Sequence, residues 1–264
     1  MIWVRSALFL AFGSLWTSVL ALLYLPLLLG TRRVMQRAAA FWCRGLIALV
    51  GICCGLRWRV IGRGNLPDGP TVLAAKHQSA WETLIFHVLL DDPVFVLKRE
   101  LLGVPLVGWY MRKAGGIPIE REAGVRAIRT MLPRVQGALA DGAQVIVFPE
   151  GTRTPAGRRR PYHTGIAAIY ARADASIVPV ALNSGLFWGR RRFLKLPGVI
   201  TLEFLPPMPS GLERPAFMRE LEQRRETATD RLCAKARDSQ QESHPRAPDH
   251  SGASHDELDS RNVT

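Results

Sequence analysis

Thr71-Val72-Leu73-Ala74-Ala75-Lys76-His77-Gln78-Ser79-Ala80-Trp81-Glu82-Thr83-Leu84-Ile85-Phe86-His87-Val88-Leu89-Leu90 reads as a short apolar strand, a polar turn and an apolar helix. The strand reading covers Thr71–Ala75 and the helix reading Trp81–Leu90. The turn carries the chemistry. His77 and Glu82 stand five residues apart, an offset that on one continuous helix would rotate them by roughly 140° from each other. They can pair only if His77 lies in the turn and Glu82 in the first helical turn. A carboxylate on one ring nitrogen would fix the imidazole tautomer and leave the other nitrogen to take a proton. The competing reading is an ordinary polar helix start, with Glu82 favouring the helix dipole.

The same alternation extends outward. Further strand candidates are Arg57–Ile61, Val94–Leu97, Ile117–Glu120, Gln144–Phe148, Ile177–Leu182 and Val199–Leu205, mostly short apolar or alternating runs bounded by Gly, Pro or Asp. Val125–Leu139 and Thr164–Ala173 have helical character, and Pro133 is expected to kink or split the first. This pattern predicts an α/β fold: a mostly parallel mixed sheet of about seven strands flanked by helices. Sites in such sheets gather at the carboxyl ends of the strands. Phe217–Arg237 reads as a charged amphipathic helix capping the domain or lying on its surface. From Asp238 to Thr264 the chain is polar and is expected to be disordered. The domains expected are an N-terminal anchor over 1–56, an α/β domain over 57–237 and a tail over 238–264.

The anchor rests on Ser6–Gly30, an uncharged run of 25 residues. At about 1.5 Å per residue it can cross a hydrocarbon core of roughly 30 Å. It is longer than the apolar region of a cleaved signal peptide, about 7–15 residues, so it is expected to be retained. A second apolar stretch, Leu46–Leu56, is too short to span and suggests an interfacial or re-entrant helix paired with the first, the competing reading being a buried core helix. Arg32, Arg33, Arg37 and Arg44 follow the first run, against Arg5 before it, which predicts an inner-membrane protein with its domain on the cytoplasmic face.

The formal net charge of +13 suggests an anionic partner: nucleic acid, an anionic membrane or a phosphate-bearing substrate. Zinc-finger, base-stacking and helix-turn-helix signatures are missing, which argues against nucleic acid. The four cysteines, Cys43, Cys53, Cys54 and Cys233, form no CxxC pair or zinc-ligand spacing and read as reduced thiols.

Three further blocks carry candidate site residues. Phe148-Pro149-Glu150-Gly151-Thr152-Arg153 closes an apolar run: Gly151 permits unusual backbone angles, Thr152 offers a hydroxyl and Arg153 a planar fork suited to phosphate. Gly115-Gly116-Ile117-Pro118-Ile119-Glu120-Arg121 is a strand ending in Glu-Arg, with Arg121 a second phosphate ligand or a surface charge. Ile177-Val178-Pro179-Val180-Ala181-Leu182-Asn183 reads as a buried strand whose proline calls for an edge or a bulge.

In this order the four blocks resemble the 1-acyl-sn-glycerol-3-phosphate acyltransferase family of glycerolipid acyltransferases, over roughly Arg57 to Leu205. The resemblance implies that His77 is the general base for a free hydroxyl, oriented by Glu82. It implies that Arg121 and Arg153 bind a glycerol phosphate, with Lys98 a further basic contact, and that Glu150, Gly151 and Thr152 shape that pocket. Pro179 would pack near the acyl site. Two departures stand out: Glu82 replaces the usual Asp, and His163 stands where a Lys is common.

The reaction so implied moves an acyl group from acyl-CoA or acyl carrier protein to the sn-2 hydroxyl of lysophosphatidic acid, giving phosphatidic acid. The thioester is already activated, so no metal or other cofactor is expected. Direct attack is expected, Ser79 being the one residue near His77 that could form an acyl-enzyme. Arg158-Arg159-Arg160 and Arg190-Arg191-Arg192 with Lys195 are read as contacts to anionic lipid headgroups or an anionic acyl donor. The alternatives are an acyltransferase acting on another lysophospholipid or a lyso-aminolipid, and a non-catalytic basic membrane-surface protein.

Overall fold

The structure, a computed structural model, describes residues 1–243, the side chains at 121, 242 and 243 excepted. Seven strands form one sheet in the order β1-β7-β6-β2-β5-β3-β4. They are β1 (Leu56–Ile61), β2 (Thr71–Ala75), β3 (Pro93–Lys98), β4 (Ile117–Ile119), β5 (Gln144–Val147), β6 (Ile177–Leu182) and β7 (Gly198–Phe204). All neighbours pair parallel except β6 with β7. Both faces are covered, as a mostly parallel sheet requires. Successive residues of β2 point to opposite faces. Leu73 and Ala75 pack with α2 (Arg32–Cys54) and α3 (Trp81–Leu89), whereas Val72 and Ala74 pack under α5 (Gly124–Ala140) and α6 (Gly165–Arg172). The start of α8 (Arg214–Ser243) joins that second face through Phe217 and Leu221.

Three sequence expectations are revised. The second N-terminal helix is not the short Leu46–Leu56 stretch but α2, with 23 residues from the Thr31 cap to Cys54. Its arginines Arg33, Arg37 and Arg44 are exposed, which hides a continuous apolar stripe on the opposite side. Pro133 does not split α5. It sits on the exposed face, where water can satisfy the carbonyl that its missing N–H leaves free. Pro179 lies in an interior strand, not at an edge. Its carbonyl accepts from Leu205, so its ring nitrogen points toward β7, one residue beyond the rungs that pair Val180–Leu182 with that strand. The parallel ladder to β2 loses nothing.

α8 also exceeds the helix read over Phe217–Arg237: residues 238–243 continue it, and 244–264 of the expected tail lie outside the described residues.

α1 (Ile2–Leu23) and α2 form an antiparallel pair. Arg5 Nε donates to Cys53 O, Trp16 Nε1 to Trp42 O, and Trp42 Nε1 to Thr17 Oγ1. Gly45 permits this closeness, since a Cβ there would overlap the Trp16 indole. The pair lies along the α/β body: Gln36 Nε2 donates to Pro93 O and Ala114 O, Arg32 pairs with Asp92, and Tyr110 of α4 (Val107–Lys113) donates to Ala21 O. Both helices are long and apolar enough to cross a bilayer. On α1, Leu8, Phe12, Leu15, Val19 and Leu22 are exposed at helical spacing, an apolar stripe without a protein partner among the described residues.

Candidate active site

β2, β5 and β6 are neighbours in the sheet, so the turns after their carboxyl ends converge. The turn after β2 carries His77. α3 begins at Trp81, so Glu82 falls in its first turn and swings back toward the ring. His77 Nδ1 is 3.0 Å from Glu82 Oε1. The same oxygen accepts the Gln78 and Ser79 backbone N–H groups at 2.5 and 2.6 Å. Glu82 Oε2 accepts the hydroxyls of Ser79, at 2.9 Å, and Ser184, at 2.8 Å. Burial by itself raises this carboxyl's pKa. The hydrogen bond and charge of His77, the Ser79 amide and the Ser184 hydroxyl outweigh it and hold Glu82 below the usual carboxylate range. The extra methylene of Glu over Asp thus still reaches the imidazole. Phe148 stacks on the other side of the ring, with centroids 4.0 Å apart. Fixed by Glu82 and Phe148, the imidazole keeps Nε2 without a hydrogen-bond partner among the described residues.

Ser79 is fully buried; its hydroxyl donates to Glu82 and accepts the Trp81 N–H at 2.9 Å. Both bonds hold it away from a nucleophile's role.

The turn after β5 is stitched to the first. His77 N donates to Glu150 Oε2 at 3.2 Å, and Thr154 N donates to His77 O at 2.7 Å. Gly151 adopts φ 69°, which lets the chain double back as its N–H reaches Phe148 O. Glu150 does not shape the pocket directly. Its carboxylate turns inward, 2.6 Å from Lys76 Nζ and 3.1 Å from Arg225 Nη2. Lys76 also donates to Glu226, both oxygens at 2.8 Å, and Tyr162 OH donates to Glu226 Oε1 at 2.7 Å. Arg225 Nη1 reaches Ala75 O at the end of β2. Burial alone would raise the Glu226 pKa, but Lys76, Tyr162 and Arg225 hold it low; burial pushes the Tyr162 phenol up. Two cations and two carboxylates therefore close a neutral buried group beneath both turns.

A cavity of about 670 Å³ opens between the helix pair and the domain, with His77, Gly151, Thr152, Arg153 and Lys98 on its wall. Elsewhere its lining is mostly apolar, with Leu20, Met35 and Trp42 from the helix pair and Leu84, Phe95 and Val107 from the domain. Arg190 and Arg191, from the loop after α7 (Ser184–Phe187), complete the lining.

The predicted site residues divide accordingly. His77, Glu82, Gly151, Thr152 and Arg153 come together. Lys98 reaches the same cavity at the end of β3, half-exposed and 3.1 Å from Glu100. Pro179 is in the sheet core and away from the cavity wall. The Arg121 side chain lies outside the described residues; its backbone starts a 3₁₀ turn just past β4. His163 is exposed, and its backbone N–H ties to Pro149 O.

Sequence reasoning missed Lys76, Tyr162, Ser184, Arg225 and Glu226, and read Arg190 only as a contact to lipid headgroups or the acyl donor, whereas it lines the cavity. One signal was present for Arg225: it occupies the stripe Phe217, Leu221, Arg225, Ala228, Leu232, where a solvated helix face would not place four apolar residues.

Residues 57–183 match the family described as Acyltransferase. The chain is 36% identical to the 1-acyl-sn-glycerol-3-phosphate acyltransferase of Pseudomonas aeruginosa, over 77% of this chain and 80% of that protein. The chain belongs to this acyltransferase family. Within it, similarity extends to a lyso-ornithine lipid O-acyltransferase of Pseudomonas aeruginosa, 28% identical over 71% of this chain and 76% of that protein. The crystal structure of the 1-acyl-sn-glycerophosphate acyltransferase PlsC from Thermotoga maritima matches the acyltransferase fold with a TM-score of 0.71 at 21% identity, covering 89% of this chain and all of that one. The His77 turn and the Glu150 turn both fall inside the matched acyltransferase region, whereas Arg225 and Glu226, which hold them from below, come from outside it.

Proposed function

We propose that this acyltransferase moves an acyl group from a thioester donor, acyl-CoA or acyl carrier protein, to the sn-2 hydroxyl of 1-acyl-sn-glycerol 3-phosphate, forming phosphatidic acid. The observation that carries the reading is the His77–Glu82 pair, at 3.0 Å, on the wall of a cavity that is basic at Arg153 and apolar along the helix pair. That combination suits an amphiphile with an anionic head and an acyl chain.

His77 Nε2 takes the proton of the acceptor hydroxyl as its oxygen attacks the thioester carbonyl. Glu82 stabilises the imidazolium that forms. The tetrahedral intermediate collapses, the C–S bond breaks, and the leaving sulfur receives the proton from Nε2. The thioester brings the activation, so the step draws on no metal or other cofactor. Arg153 holds the phosphate, which fixes the hydroxyl near the base. The exposed stripe of α1 seats the enzyme on a bilayer, where acceptor and product reside, and the exposed arginines of α2 favour the cytoplasmic face of the inner membrane.

Turnover of lysophosphatidic acid is compared with that of lyso-ornithine lipid and a zwitterionic lysophospholipid at a fixed acyl donor. Lysophosphatidic acid is expected to be preferred, and Arg153→Ala to raise its KM about tenfold or more while the donor KM changes little. A wild-type preference for lyso-ornithine lipid would move the chain to the lyso-aminolipid reading, which its 28% identical relative favours.

A further inference from the structure

The three consecutive arginines 190–192 sit on a loop that is held from several sides. Lys195 Nζ donates to Arg192 O and Phe193 O, Arg192 N to Gly189 O, and Leu196 N to Phe187 O. The loop is seated on the first turns of α1: Lys195 N donates to Ser6 Oγ, Trp188 meets Phe9 edge-on, and Phe193 stacks on Trp3. Arg191 has φ 57°, a left-handed backbone uncommon for a residue with a Cβ. Such a conformation persists where the surroundings impose it and often where a site needs it.

Clustered guanidiniums repel one another unless something neutralises them. Lys98 and Arg99, at the end of β3, already have Glu100 and Glu120 beside them. Among the described residues no carboxylate pairs with Arg153, Arg190 or Arg191. Arg190 Nη1 donates only to a carbonyl, that of Arg153, at 3.3 Å. This bond brings Arg190 to the turn that also holds His77, and Arg190 and Arg191 both line the cavity. Their loop rests on residues 3–9 of α1, whereas the apolar wall at Leu20 begins roughly 16 Å further along the helix. The uncompensated positive charge is therefore at one end of the cavity, near the base.

We propose that Arg190 and Arg191 complete a phosphate site with Arg153, and that its ligand is the phosphomonoester of the lyso-acceptor. The assignment rests on the acceptor reading above. A phosphomonoester is close to a dianion at neutral pH and suits more than one guanidinium. The choice between the two phosphates in the reaction follows from their distance to the reacting atoms. The acceptor's phosphate is on the carbon next to the one bearing its hydroxyl. The donor's first phosphate is a whole pantetheine arm away from the thioester. An anion site beside the turn that carries His77 fits the first.

Steady-state kinetics with lysophosphatidic acid and acyl-CoA test this in the wild type, Arg190→Gln and Arg191→Gly, with glycerol 3-phosphate as inhibitor. Glycine tolerates the left-handed backbone, so Arg191→Gly removes the guanidinium without disturbing the loop. Each variant is expected to raise the acceptor KM about tenfold or more, to leave the acyl-CoA KM within about twofold, and to weaken glycerol 3-phosphate inhibition by a similar factor. Arg190→Lys is expected to recover part of the loss. An unchanged acceptor KM, or a donor KM that rises as much, overturns the assignment. A wild-type enzyme that does not turn over lysophosphatidic acid overturns the acceptor reading instead, so the two failures are distinguishable.

Discussion

Acyl transfer by His77→Ala is expected to fall at least about 10³-fold, with the fold and membrane association unchanged. The imidazole is the group on the cavity wall whose one nitrogen is anchored by a buried carboxylate while the other faces outward. Without it, the acceptor hydroxyl has nothing to take its proton. The side chain contributes little else: it makes one hydrogen bond, to Glu82, and one ring stack, on Phe148. Glu82 keeps two amide and two hydroxyl donors after the change. The stability cost is therefore about 1.5–3 kcal/mol, the range for losing a hydrogen bond to a charged group. Initial rates with a labelled acyl donor, beside flotation on liposomes and a thermal melt, separate the effects. Retention of a tenth or more of the wild-type rate would remove His77 from the role of base.

Arg225→Met is expected to destabilise the protein by about 3–5 kcal/mol and to abolish activity with it. Arg225 is fully buried and touches no part of the cavity wall. It sits 3.1 Å from Glu150 and 3.4 Å from Glu226, donates to Ala75 O, and stacks on the Tyr162 ring with its guanidinium carbon 4.2 Å from the centroid. Removing the cation leaves Lys76 alone to offset two buried carboxylates. Glu150 also accepts the His77 amide, so the disturbance reaches the turn that aims the base. For a chain of this size each kcal/mol lowers Tm by roughly 2–4 °C, so a drop of about 10 °C is expected. A Tm within 2 °C of wild type would mean that this buried group does not hold the two turns.

The sheet was legible because its strands are short apolar runs closed by turn formers, and all seven fall where that pattern puts them. α2 was only partly legible. Its arginines interrupt the apolar run, and the face it buries against α3 and the sheet is visible only once the partners are known. Pro133 and Pro179 misled for one reason: the cost of a missing N–H depends on where that N–H would have pointed. The His77–Glu82 contact was readable as a condition, that the helix begin between them, and Trp81 starts it there. The inward turn of Glu150 was not readable. Its partner Arg225 is 75 positions later, on a helix whose charge density conceals a buried stripe.

The distance from the acceptor's free hydroxyl oxygen to His77 Nε2, in a crystal structure of the wild-type enzyme with lysophosphatidic acid and no acyl donor, tests the central claim most directly. The expected value is about 3 Å, with the phosphate on Arg153. A well-ordered acceptor whose hydroxyl is remote from the imidazole, or whose phosphate avoids Arg153, would contradict it.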